Sequence, residues 1–578
     1  MNGAVPLTLM DVDLERGACR LHRREDLREK VGGSSLAAAL YREYGLPGED
    51  AFAPGQPLIF AIGPLTGYYP LMSKVVLGFK SPYSGDYVET HAGGRLALAL
   101  RFSGLDALVI RGKSPRPVYL VLGDRHFACK DAGHLWGMDA VTTARTIRGS
   151  EPRGRGQRSI LRIGPAGENL VKYACINVDT FRHFGRLGAG AVMGSKKLKA
   201  VMVSGDRSFS LPYQGTSYHK VYRQIYQRIT GSGVMAKYHD LGTPVNVLVL
   251  NGLHSLPTRN LSATTFEGAA QISGEYFADK LLLRQIACSG CPVGCIHIGL
   301  LREKFSPEHE YYYKQVSYDH EPIFAMGSML GIAPGEAVML LLDEAEKWGL
   351  DVISCGVALA WATEARAAGL IGDEQTLVPL AFGKLEPYRQ AIAAIATRAN
   401  EFYRLLGEGT AVAAARYGGA EFACVLGQEM AGYATGPVYF VSQALGFRYS
   451  HLDSAGYQLD QQKTSMLEEA LNYLEREERQ RLMLTCLVAC LFARNIYDQE
   501  TIAAALAAAG FSELAQNLEE RFTSLQRERW RVKKESGYDP HRVAIPRRFH
   551  EVKTLQGKLD AAFMETLRRA YAARIAGY

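Results

Sequence analysis

The run Cys288-Ser289-Gly290-Cys291-Pro292-Val293-Gly294-Cys295 places three thiols in the spacing C-x2-C-x3-C. Gly and Pro between them turn the backbone, so the three sulfurs can converge on one centre. A closed four-thiol site needs one more cysteine, and Cys486 and Cys490 stand roughly two hundred residues downstream. Three clustered ligands plus a remote fourth suit a [4Fe–4S] cluster better than structural zinc. Zinc and ordinary buried cysteines are the alternatives. The other cysteines, Cys19, Cys129, Cys175, Cys355 and Cys424, form no secreted-domain framework, which predicts reduced thiols and a cytoplasmic setting.

Outward from this run, the chain divides by character. Up to about residue 205, short apolar runs (Pro57–Ile62, Ala107–Arg111, Val118–Leu122, Ala200–Ser204) alternate with Gly, Pro, Asp and Lys turn signals, which predicts strands. Beyond residue 210 the spacing becomes helical. Val338, Leu341, Leu342, Ala345 and Trp348 share one face of a helix predicted over Ala337–Trp348 and stopped near Gly349. Further helices are predicted over 354–368, 386–405, 465–494, 498–509 and 555–574, with the Gly- and Tyr-rich stretch 409–460 mostly irregular. The fold class expected is α+β: a β-rich domain (1–206), then two mainly helical ones (207–415 and 416–578).

Size and charge exclude several classes. At 578 residues the chain can bury several cores. A net charge of +7 over that length does not imply nucleic acid. No basic start leads into a long apolar run and no stretch of about 18 uncharged apolar residues occurs, so neither a signal peptide nor a membrane span is expected. Basic residues crowd the C-terminal region, among them Arg521, Arg527, Arg529, Arg531, Lys533 and Lys534. Such a run is a solvated helix face or a docking patch for an acidic protein.

Three further motifs carry chemistry. Gly185-Arg186-Leu187-Gly188 opens a basic, glycine-rich segment that runs through Lys196-Lys197. It matches neither the P-loop nor the dinucleotide fingerprint, so a phosphate cradle and a plain tight turn both remain open. A second loop runs from Gly63-Pro64-Leu65-Thr66-Gly67 past Lys74 and Lys80-Ser81-Pro82 to His91-Ala92-Gly93-Gly94. The third, Glu346-Lys347-Trp348-Gly349-Leu350-Asp351, sets two carboxylates around a Gly turn. They can accept hydrogen bonds from an NH-rich heterocycle, or simply be a solvated helix end.

In this order, and over about residues 8 to 570, these elements resemble the aldehyde:ferredoxin oxidoreductases. The resemblance implies tungsten (or molybdenum) held by two pyranopterins, one [4Fe–4S] cluster, and cofactors seated at the domain interfaces. It makes Cys288, Cys291 and Cys295 cluster ligands and favours Cys490 over Cys486 as the fourth, because Cys490-Leu491-Phe492 keeps the family's Cys-x-Phe ending. Glu346 and Asp351 fall on the family's DxxGxD pterin motif, with Glu replacing the first Asp. The second pterin motif, DxxGLC, reads Thr485-Cys486-Leu487-Val488-Ala489-Cys490 here and lacks both its Asp and its Gly, leaving Thr485 and Ala489 as the contacts. His91 stands where members carry the Asn associated with magnesium between the pterin phosphates. Lys74, Gly93, Arg182, Gly185, Arg186, Leu187 and Gly188 match other cofactor-contacting segments.

The same resemblance makes Glu321 and His451 the catalytic residues, the first as general base, the second as hydrogen-bond donor to the substrate oxygen. The implied reaction oxidises an aldehyde to a carboxylic acid and passes electrons to ferredoxin or an iron–sulfur subunit, and an oligomer is compatible with it. Two alternatives stand beside it. One is another two-electron reaction, reducing a carboxylate or a ring, as the catalytic subunit of a larger complex. The other is a non-enzymatic iron–sulfur or zinc scaffold.

Overall fold

Two six-stranded sheets occupy the chain up to Gly205 in the computed structural model, which describes residues 6–124, 126–152, 156–207, 215–462 and 466–578. The first contains β1 (Leu7–Asp13), β2 (Ala18–Arg24), β3 (Leu58–Ala61), β4 (Val75–Lys80), β5 (Tyr87–Ala92) and β6 (Ala107–Arg111), in the order β2-β1-β6-β3-β4-β5. The second contains β7 (Val118–Gly123), β8 (His126–Asp131), β9 (Gln157–Arg162), β10 (Ile176–Val178), β11 (Arg182–Phe184) and β12 (Leu198–Gly205), in the order β11-β10-β9-β12-β7-β8. Only β1–β6 and β7–β12 pair in parallel. The continuous apolar runs of β3, β4 and β7 are buried at every residue because both sheet faces are covered. The polar strands β2 and β8 lie at the edges.

Edge strand β5 is shielded by the helix Leu518–Glu535 and the turn after it. Ser536 Oγ accepts from the Tyr87 amide at 2.6 Å, and Lys533 Nζ donates to the Tyr87 carbonyl at 3.3 Å. This departs from the expectation of a solvated basic face at two positions, while Arg527 and Arg531 of the same helix are exposed as expected. Arg529 and Lys533 are buried and paired with Glu89 (3.0 Å) and Asp86 (2.7 Å).

The rest of the chain is mainly helical, with departures that have local causes. The helix Gly335–Trp348 ends where expected, at Gly349 with φ +73°, a left-handed cap that glycine adopts without steric cost. The stretch expected as one helix over 386–405 is two, Leu385–Thr397 and Glu401–Leu406, separated where Arg398 turns left-handed. The helix expected to 494 stops at Cys486, two residues before Val488 also turns left-handed. The last helix begins at Ala561 instead of 555, because Lys553–Thr554 and Gly557–Lys558 pair first. Residues 409–460, expected as mostly irregular, contain the helices Thr410–Tyr417, Pro437–Ala444 and Gly456–Gln461. A three-stranded antiparallel sheet (Leu282–Ile286, Ile296–Lys304, Tyr311–Tyr318) also lies within the helical half, beside the clustered cysteines.

Candidate functional site

The C-x2-C-x3-C turn sits against the first sheet. Ser289 donates to the Gly94 carbonyl at 3.0 Å, and the Gly94 amide donates to Cys288 Sγ at 3.2 Å. A Cβ on Gly93 would lie 2.7 Å from that sulfur, so the loop after β5 can approach only as glycine. The fourth thiol arrives through backbone pairing: Cys490 donates to Leu71 O at 2.9 Å, and Leu71 donates to Gly290 O at 3.3 Å. Cys288, Cys291, Cys295 and Cys490 are thus brought within electrostatic reach of one another, with Lys74 and Arg182 among them. Cys486 points elsewhere, its sulfur 2.8 Å from Ser35 Oγ.

Burial, reinforced by the neighbouring Cys490, pushes the Cys291 thiol up to about 12, and Cys295 is raised for the same reasons. Burial alone would lower Lys74 and Arg182, yet the surrounding sulfurs, joined by Asp319 for Arg182, keep both above their ordinary values. Such thiols become thiolates when a metal takes the proton's place. Among the described residues no His, Cys, Asp and Glu group is gathered tightly enough for a single metal ion.

Beside this centre opens a cleft of about 610 Å3, lined by Arg182, His183, Gly185, Asp319, Glu346 and Asp351. Its floor is stitched together where the turn after helix Gly335–Trp348 meets the second sheet. Cys175 donates to Gly349 O at 2.9 Å and Asp351 to Tyr173 O at 3.0 Å. Glu346 accepts from His183 Nε2 at 2.5 Å and from Asn177 Nδ2 at 2.9 Å. Burial would raise its carboxyl, but His183, Arg162 and Asn177 hold it below the usual range. Asp351 caps the next helix through Ser354 N (2.8 Å) and faces Arg186 Nε at 3.5 Å. Arg182 Nε, Arg186 Nε and Arg186 Nη1 are buried without hydrogen-bond partners, an arrangement that costs free energy unless a ligand with acceptor groups is present.

A second polar group surrounds Glu321, on the helix His320–Met326. Its Oε1 lies 3.0 Å from His451 Nε2 and accepts from Tyr433 OH at 3.0 Å. Burial works to raise this carboxyl, but the hydrogen bond and charge of His451 hold it at about 2. His451 Nδ1 is buried without a partner. Tyr433 stacks on Tyr457, with ring centroids 5.0 Å apart, so the group has an aromatic wall.

The remaining sequence-predicted residues are placed unevenly. Gly185 and Arg186 adjoin Asp351, whereas Leu187 and Gly188 serve packing: Leu187 O accepts from Ser81 Oγ at 2.8 Å, and a Cβ on Gly188 would strike Lys172 O. The segment's lysines bind carbonyls of neighbouring loops, Lys196 at Pro54 (2.9 Å) and Lys197 at Pro115 (2.7 Å), and between its glycines and those lysines runs the short helix Ala189–Ser195 instead of a plain tight turn. His91 sits between Glu89 (3.5 Å) and Arg448 (3.0 Å), with burial and the Arg448 charge lowering it to about 4. The Thr485 hydroxyl turns back to Leu482 O at 3.2 Å, and Ala489 is buried in the apolar packing behind the thiols. Sequence reasoning missed Tyr433, His183, Asn177 and Asp319. Asn177 and His183 are register partners across β10 and β11, so both side chains leave one face of the sheet toward Glu346. Alternation around that short hairpin is the only signal that offered them.

Comparison with known proteins adds three kinds of likeness. A family model described as the aldehyde ferredoxin oxidoreductase N-terminal domain matches residues 9–205, and one described as its domains 2 and 3 matches residues 220–575. A tungsten-containing aldehyde ferredoxin oxidoreductase of Thermococcus kodakarensis is 34% identical over 420 residues, covering 71% of this chain and 67% of that protein. The same-named protein of Pyrococcus furiosus is 35% identical over 68% of this chain and 64% of its own length, so the match spans slightly less than two thirds of it. A Pyrococcus furiosus aliphatic sulfonate oxidoreductase, WOR-like subunit, is 30% identical over 70% of this chain and 66% of its own length. Among solved structures, the active-site complex BamBC of benzoyl coenzyme A reductase superposes with a TM-score of 0.82 over 98% of this chain and 94% of that one. At 19% identity, that likeness is one of fold.

Proposed function

The chain belongs to the aldehyde ferredoxin oxidoreductase family, and from that membership we propose that it is a tungsten-dependent oxidoreductase converting an aldehyde to its carboxylic acid. The overall change, aldehyde plus water to acid plus two protons and two electrons, sends the electrons singly through a [4Fe–4S] cluster to a ferredoxin or partner subunit. The observation that carries this reading is the position of Arg182, which lines the cleft, faces Asp319 at 3.6 Å, and lies within electrostatic reach of Cys288, Cys295 and Cys490. One residue thus joins a ligand-sized cleft to a centre suited to storing electrons.

The donor set fits the cluster and one of the two implied pyranopterins. Cys288, Cys291, Cys295 and Cys490 would hold the cluster. Gly185, Arg186, Glu346 and Asp351 would hold one pyranopterin, and the unpartnered Arg182 and Arg186 nitrogens suit its anionic parts. The residues of the second motif do not fit another such group as they stand: the Thr485 hydroxyl bonds Leu482 O, Ala489 is buried in apolar packing, and His91 is held between Glu89 and Arg448. Bound through the first pyranopterin, tungsten supplies two-electron redox capacity and Lewis acidity.

The chain's own residues handle the protons. A carboxylate held at about 2 is too weak a base to take a proton from water unaided. Glu321 therefore serves best by accepting from His451 Nε2 and orienting the ring, which leaves the unpartnered Nδ1 as the atom free to hydrogen-bond a substrate oxygen. Tyr433 fixes the carboxylate from the other side.

A second reading, another two-electron reaction within a larger complex, is favoured by Thr485 and Val488, which replace the Asp and Gly of the second pterin motif. Elemental analysis of anaerobically purified protein, with aldehyde-dependent viologen reduction, tests both. The proposal expects one tungsten and about four irons per chain and turnover of at least one aldehyde. In Glu321→Gln, kcat should fall by about 100-fold with metal content unchanged. Tungsten without aldehyde turnover moves the assignment to the second reading; iron without tungsten or molybdenum overturns both.

A further inference from the structure

The helix Gly215–Thr230 lies over the thiol centre and carries charge of one sign. It contains His219, Lys220, Arg223 and Arg228 and no Asp or Glu. Arg228 is engaged by Asp498 at 3.0 Å, whereas Lys220 and Arg223 are exposed and form no ion pair among the described residues. Between these cations stand Tyr222 and Tyr226, 36% and 42% exposed, with rings stacked at 6.2 Å. Exposed tyrosines flanked by unpaired cations are the composition of an interface and a poor choice for a free surface.

The buried side of the helix is also joined to the loop that holds the thiols. Tyr218 OH donates to Tyr68 O, and Leu71, three residues on, accepts from the Cys490 amide and donates to Gly290 O. Tyr69 packs against Tyr218 at 5.3 Å, and Tyr497 reaches Tyr69, Tyr218, Tyr222 and Cys291 electrostatically. Tyr222 thus packs on Tyr69 (6.4 Å) and Tyr218 (6.0 Å), which share one apolar cluster with Tyr497, Cys291 and Cys490. The C-terminal basic run is the competing face: Arg529 and Lys533 are spent on Glu89 and Asp86, whereas Arg527 and Arg531 are exposed but stand among Glu520 and Glu528 with no exposed tyrosine beside them.

We propose that this basic, tyrosine-bearing face of helix Gly215–Thr230 docks a small acidic electron-transfer protein that carries its own iron–sulfur cluster. The proposal rests on the reading of the four thiols as cluster ligands. An acidic partner is steered by Lys220 and Arg223 and seated on Tyr222 and Tyr226, in the small, transient kind of contact that electron transfer uses. Each docking passes one electron from the reduced cluster of this chain to the oxidised cluster of the partner, with no bond made or broken.

The test uses the holoenzyme and an acidic bacterial-type ferredoxin carrying two [4Fe–4S] clusters. Affinity is measured by calorimetry at about 50 mM salt, beside ferredoxin- and viologen-linked turnover. The Lys220→Glu/Arg223→Glu variant should bind about tenfold more weakly, raise the KM for ferredoxin to match, and lose most of its salt dependence. Its viologen turnover and cluster signal in electron paramagnetic resonance should match the parent's. Should those controls fall as well, Lys220→Gln/Arg223→Gln provides the same reading with milder change. Unchanged affinity, or a loss that appears instead in Arg527→Glu/Arg531→Glu, overturns the proposal. Failure of the functional reading shows separately, as parent protein without iron.

Discussion

Two helix ends in this molecule use the same backbone device and reach opposite results. Helix Gly335–Trp348 closes on Gly349 (φ +73°) and helix Leu467–Cys486 is followed by Val488 (φ +54°), so each chain end swings round through one left-handed residue. After Gly349 the turn opens on the 610 Å3 cleft, with Arg186 left partly unpartnered beside Asp351. Around Val488 the chain is pressed against its neighbours: a Cβ on Gly33 would lie 2.0 Å from Thr485 O. The cations nearby are matched internally, Arg529 by Glu89 at 3.0 Å and Arg448 by Asp453 at 2.7 Å. Backbone geometry is therefore not what makes a binding site here. Unsatisfied buried donors are, because only they gain from a ligand.

The sharpest way to test that contrast is at Cys486 and Cys490, four positions apart and facing different regions. Cys490→Ala should lose most of its iron and its cluster signal, whereas Cys486→Ala, which gives up a contact to Ser35 Oγ, keeps both. Iron lost only from the Cys486 variant would reverse the assignment. Next in size is the closed region's own stability. Glu89→Ala leaves buried Arg529 only the more distant Glu478, at 3.8 Å, and breaking a buried pair from one side costs about 3–5 kcal/mol. Thermal unfolding should show a large drop in Tm; a shift within error would mean that water already reaches Arg529.

Acid should attack the same closed region through His91, whose value is lowered from 6.5 to about 4 by burial and by Arg448. Below pH 6.5 the unfolded chain binds a proton that the folded one refuses, so stability falls from pH 6.5 down to about 4 and this contribution is flat below that. The total is roughly 3 kcal/mol. His91→Gln removes that slope in denaturant titrations run across the range. Parallel pH profiles for parent and variant would show that His91 is protonated in place.

Much of the molecule was readable from local pattern, and the rest was not for a common reason. Apolar runs announced β3, β6, β7 and β12, and helical spacing with a Gly stop announced Gly335–Trp348, because these signals sit within one element. Helix Pro437–Ala444 was hidden, since its stretch is rich in Gly and Tyr and tertiary burial of nearly every side chain forms it. The C-x2-C-x3-C ligand pattern was local, but its surroundings were not. Tyr433 meets Glu321 across 112 residues, and Arg529 meets Glu89 across 440. Arg529 and Lys533 looked solvated like the rest of the basic run because their acidic partners belong to the other end of the chain.

The smallest expected effect bears most directly on the contrast. If unsatisfied donors define the binding region, the carboxylate that gathers them should matter for cofactor retention, and the neutral residue in the corresponding turn should not. Asp351→Asn keeps a side-chain oxygen for the Ser354 amide, so the helix cap survives, while the charge facing Arg186 is lost. Tungsten and pterin per chain, measured after gel filtration, should fall by about tenfold, equivalent to roughly 1.4 kcal/mol of binding. Thr485→Val gives up only a hydroxyl that bonds back to Leu482 O within its own helix, and its cofactor content should stay within about twofold of the parent's. Equal losses from both variants would mean that the closed turn opens to take a ligand, and that its internal ion pairs are a resting arrangement the cofactor displaces.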